Sequence, residues 1–71
     1  MTKTKMNIAA CERHGFSLVK TRSTMFICYK HPTAERYYFI GKHGSVRYNS
    51  SPNVTGSVSI HFNEYFLAEG K

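Results

Sequence analysis

Aspartate is missing from this 71-residue chain, and its four carboxylates, Glu12, Glu35, Glu64 and Glu69, are scattered along it. Acid–base work by paired carboxylates therefore has no evident source. Cysteine is scarce as well. Cys11 and Cys28 are too few for a disulfide scaffold, which points to a reducing, cytoplasmic setting. No segment approaches the ~18 consecutive apolar residues of a membrane span. The polar start Thr2-Lys3-Thr4-Lys5 leads into no apolar stretch of the kind a secretion signal carries, so no membrane association is expected. For the same reason the Asn53-Val54-Thr55 acceptor pattern carries no expectation of glycosylation. Length excludes more. Residues 1–71 make one domain, and a chain this short buries only about 60% of its unfolded surface. One core of that size usually supplies roughly 3–5 kcal/mol, too little to build an enclosed cofactor cleft around multistep chemistry. The chain is read as non-enzymatic and without a cofactor.

What is present is basic and aromatic. Ten Lys/Arg give a formal charge of +6, and five Tyr with five Phe in a 41% hydrophobic composition argue for a folded chain. Residues 1–4 read as a frayed lead-in. Thr4 or Asn7 is the expected cap of a short helix over 6–13, ended by Gly15, with Phe16 packing back on Cys11. From Ser17 the helical period gives way to β-branched and aromatic runs at 17–22, 25–30, 36–40 and 45–48. Turns are expected at Ser23-Thr24, at His31-Pro32 and at Gly41-Lys42-His43-Gly44. Residues 49–56 read as a loop. The last segment carries two signals: Val58, Ile60 and Phe62 alternate, while Phe62, Tyr65 and Phe66 recur at helical spacing. A helix over about 59–69 is favoured. The expected class is α+β: a short N-terminal helix, an antiparallel meander of three or four strands and a short C-terminal helix.

Seven bases, Arg13, Lys20, Arg22, Lys30, Arg36, Lys42 and Arg47, fall between residues 13 and 47 against Glu35 alone. Most sit on the expected sheet beside Tyr29, Tyr37, Tyr38 and Tyr48. Cationic side chains attract phosphates and release counterions, and aromatic faces stack on unpaired bases at about 1–3 kcal/mol each. The expected interface is Lys20, Arg22, Lys30, Arg36, Lys42 and Arg47 on phosphates, with one or two exposed tyrosines among Tyr29, Tyr37, Tyr38 and Tyr48 stacking. The bland alternative is a solubilising face over an ordinary core.

Two C-x-x-H pairs, Cys11/His14 and Cys28/His31, form a legitimate tetrahedral zinc set by ligand type. Against it, a Cys and His three apart on a strand point to opposite faces, and buried thiols behave as small hydrophobes. His43, at a hairpin tip, is a candidate general base or phosphate contact, and Glu35 is the carboxylate nearest to His31 in sequence.

The segment Ala9-Ala10-Cys11-Glu12-Arg13-His14-Gly15-Phe16-Ser17-Leu18-Val19 resembles the opening of HicA-type toxins, where a helix ends in Gly-Phe and runs into the first strand. Phe26-Ile27-Cys28-Tyr29-Lys30-His31-Pro32 is similar to that family's second strand and its His-Pro turn. Thr55-Gly56-Ser57-Val58 resembles the entry to its last helix. The resemblance, over about residues 8–32, implies an α-β-β-β-α fold related to double-stranded RNA-binding domains and a sheet that faces RNA. It does not carry ribonuclease activity. The family's catalytic histidine stands at the start of the second strand, where this chain reads Arg22-Ser23-Thr24-Met25-Phe26.

The expected function is thus a small, basic, non-catalytic module that binds RNA or DNA, as monomer or homodimer. The alternative is an inhibitor or adaptor, of the kind made by phages and mobile elements, that binds a larger acidic host protein. An exposed strand edge or apolar patch would favour that second reading.

Overall fold

The structure, a computed structural model, describes residues 2–70. Helix α1 (Lys3–Arg13) is followed by five strands, β1 (Ser17–Val19), β2 (Phe26–Lys30), β3 (Tyr37–Gly41), β4 (Val46–Asn49) and β5 (Val58–Ile60), and by helix α2 (Glu64–Gly70). The strands form one antiparallel meander in the order β1-β2-β3-β4-β5. The α+β class expected from the sequence is therefore present, with five strands where three or four were counted.

The two helix boundaries differ from expectation for local reasons. Thr2, not Thr4 or Asn7, caps α1: its side-chain oxygen accepts from the Lys5 amide at 3.2 Å. Lys3 and Thr4, read as part of a frayed lead-in, form the first turn, because no glycine or proline interrupts the chain between Thr2 and His14. Met1 lies outside the described residues. At the other end Gly15 takes φ +83°, and the Phe16 amide reaches back to the Cys11 carbonyl at 3.0 Å. Cys11 and Phe16 then share one buried cluster. In the last segment both sequence signals are real but consecutive. Val58 and Ile60 belong to β5, and Asn63 caps α2 by accepting from the Tyr65 and Phe66 amides at 2.9 and 3.3 Å. The helix expected from residue 59 thus begins only at Glu64.

Register assigns the two sheet faces. Tyr29, Tyr38 and Tyr48 stand opposite one another, as do Ile27, Ile40, Val46 and Ile60, so these share a face. That face carries the helices: Tyr29, Tyr38, Ile40 and Val46 cluster with Ala10, Cys11, Phe16 and Leu67. The opposite face presents Val19, Cys28, Phe39 and Arg47 in one row. Phe39 and Cys28 are nevertheless buried, and the β4–β5 loop returns toward this face. Arg47 donates to the Ser57 side-chain oxygen and carbonyl at 2.8 and 2.7 Å, and Pro52 and Asn53 line a cavity with Lys20 and Arg22. Asn49 holds the loop by donating to the Asn53 and Thr55 carbonyls at 2.8 and 3.2 Å. The helices thus pack on the centre of one face, and the β4–β5 loop lies against part of the other.

Candidate nucleic-acid interface

This packing decides the fate of the tyrosines. Tyr38 is fully buried, its hydroxyl donating to the Phe66 carbonyl at 3.1 Å, so the expectation that it stacks on bases is corrected. Burial raises its pKa, with Arg36 opposing the shift. Tyr29 is buried too. Tyr37 and Tyr48 are half-buried but lie on opposite faces, since Tyr38 pairs with Tyr48 and Tyr37 is its neighbour along β3. Each already has a cation above its ring, Lys30 Nζ at 5.5 Å from Tyr37 and Arg36 at 5.3 Å from Tyr48. A tyrosine-lined platform does not form.

The seven central bases are likewise not one face. Arg13 is paired with Glu64 at the C-terminal end of α1. Lys30 and Arg36 flank the β2–β3 connection, and Arg47 is engaged under the β4–β5 loop. Lys20, Arg22 and Lys42 are the remainder, and the meander places these three at one end of the sheet. Phe26 pairs with Gly41, so the β1–β2 connection and the β3–β4 turn leave the same end of the sheet. Helix α1 starts at that end. The Thr4 hydroxyl lies 2.7 Å from the carbonyls of both Gly41 and Lys42 and accepts from the Gly44 amide at 3.1 Å, while Asn7 donates to the Gly44 carbonyl at 3.0 Å.

Lys3, Lys5, Lys20, Arg22 and Lys42, all exposed, therefore lie at this end of the sheet with the exposed imidazoles of His43 and His61, Lys20 and Arg22 at the β1 edge beside Pro52 and Asn53 and His61 at the β5 edge. His61 arrives because Ile60 pairs with Val46 at this end. The carboxylates of Glu12, Glu35 and Glu64 are elsewhere: at the last turn of α1, in the β2–β3 connection and against Arg13. Among the described residues none of the five cations is in an ion pair. Sequence reasoning missed Lys3 and Lys5 by setting residues 1–4 aside and drawing the basic cluster from residues 13–47 alone. The available signal was the uninterrupted stretch from Thr2, which extends the helix and so gives its first turn a defined place.

The zinc set is not assembled. Cys11 is in the core beneath α1, whereas Cys28 points to the other sheet face. Among the described residues no three metal-ligating side chains cluster. Burial pushes the Cys11 thiol up to about 12, with Glu12 adding to it, and the Cys28 thiol up to about 11. His14 lies 3.3 Å from Glu64, and His31 pairs with Thr33 at 2.9 Å rather than with Glu35.

Set against known families, curated proteins and solved structures, the chain gives no match. Among the described residues no helix is long and apolar enough to cross a membrane.

Proposed function

We propose that this protein is a non-catalytic nucleic-acid-binding module whose phosphate contacts come from one end of the sheet rather than from its face. The observation that supports this is the placement of Lys3, Lys5, Lys20, Arg22 and Lys42 at one end of the sheet, a region without a described carboxylate. Such a field attracts a polyanion, and each phosphate neutralised releases counterion. The resemblance to HicA-type toxins is compatible with an RNA target.

Titrating labelled oligonucleotides between about 50 and 200 mM salt tests the reading. With five cations engaged, log affinity falls against log salt with a slope of about −3.5 for a single strand. The variant Lys20→Ala/Arg22→Ala/Lys42→Ala flattens that slope to about −1.4, whereas Lys30→Gln at the opposite end leaves it unchanged. Absence of binding at low salt removes the proposal.

The adaptor reading keeps one supporting observation. Edge strand β1 leaves Leu18 63% and Ile27 40% exposed on one face, beside Met25 at 68%, an apolar strip that phosphate binding does not use. A specific protein retained from nuclease-treated lysate, and lost with Leu18→Lys, would favour it.

A further inference from the structure

An open cleft of about 480 Å³ lies between the start of α1, the β3–β4 turn and the segment leaving β5. Lys3, His43 and His61 line it with N–H donors, and no described carboxylate does. Ile60 and Phe62 form apolar wall: both are half-buried, packed on the core yet open to the cleft. The frame is held in place, because Thr4 and Asn7 tie the turn that carries His43 onto the helix that carries Lys3.

We infer that this cleft is a subsite for one unpaired nucleotide, its phosphate on Lys3, His43 and His61 and its base against Ile60 and Phe62. The inference rests on the nucleic-acid reading and sharpens it from polyanion to single strand. A phosphate takes charge-assisted N–H bonds, which ammonium and imidazole groups supply. A base takes an apolar face, and only an unpaired base has one free. The volume falls in the range of about 300–1,000 Å³ typical of small-molecule sites, far more than inorganic phosphate fills. Phe62 is the aromatic ring among the residues that line the cleft.

The test is a set of titrations on ¹⁵N-labelled protein with adenosine 5′-monophosphate, inorganic phosphate and adenosine, beside single-stranded and duplex oligonucleotides of about twelve units. The monophosphate is expected to shift the amides of Asn7, Gly44 and His61 saturably, and to bind about fivefold or more tighter than phosphate or adenosine. The variant His43→Ala/His61→Ala, altering two exposed side chains, weakens that binding by about tenfold or more. It leaves amide dispersion intact. Equal affinity for phosphate and monophosphate, a preference for duplex, or shifts insensitive to the double variant would each overturn the subsite. Oligonucleotide binding without a monophosphate response overturns the subsite and leaves the broader reading standing. A monophosphate response without oligonucleotide binding supports the subsite and removes the polymer reading.

Discussion

Glu64 accepts from both Arg13 and His14, closing the start of α2 onto the end of α1 across sequence separations of 51 and 50 residues. Hydrogen bonds from Arg13, then His14, hold its carboxyl below the usual value of 4.5. A carboxyl with a lower folded than unfolded pKa contributes stability above the unfolded value, and loses it as pH falls through the folded one. Glu64→Gln is therefore expected to lower the melting temperature at neutral pH, with the gap to wild type closing on acidification below 4.5; melts across a pH series check this. Tyr38 offers a second test at this scale. Tyr38→Phe removes the donor to the Phe66 carbonyl and costs about 0.5–1.5 kcal/mol in urea unfolding. Oligonucleotide affinity stays unchanged, because the ring never reaches the surface. A stacking role would have predicted the reverse pattern, affinity lost and stability kept.

The β3–β4 turn is the element that joins fold to function, since it docks on α1 and carries Lys42 and His43. Gly44 adopts φ +81°, and a methyl group there would run into the Lys3 side chain. Gly44→Ala is expected to cost about 1–3 kcal/mol, a large share of what so small a domain has, and denaturant titration measures it. The same element shows why the lead-in was misread. Thr4 and Asn7 have suitable chemistry for a helix cap, but their partners lie 37 or more residues away in the turn. Local sequence does not say which of two satisfiable roles a hydroxyl or amide takes.

For the whole molecule, charge is distributed along the long direction of the strands: a cationic end without a described carboxylate, and an opposite end where Glu12, Glu35 and Glu64 sit among bases. Like charges gathered at one end repel, and added salt screens them. The melting temperature is expected to rise between about 10 and 200 mM sodium chloride even as oligonucleotide affinity falls. The one described Lys/Arg–carboxylate pair, Arg13 with Glu64, is exposed and opposes this only weakly. Thermal melts at constant pH across that range decide the sign.

Amino-acid order alone determined the α+β class, the helix stop at Gly15, four of the five strands, the tight turn at 41–44 and the surplus of positive charge. Each depends on local backbone preference or on composition, and neither needs a distant partner. Tertiary structure decided which tyrosines are interior, that Cys11 and Cys28 lie on opposite sides of the sheet, and that Lys3 and Lys5 join Lys20, Arg22 and Lys42. Alternation along a strand marks two faces without saying what covers either one, and here helices pack on the centre of one while the β4–β5 loop lies against part of the other. Charge placement is a property of strand register and chain direction, which arise from contacts across the whole sheet.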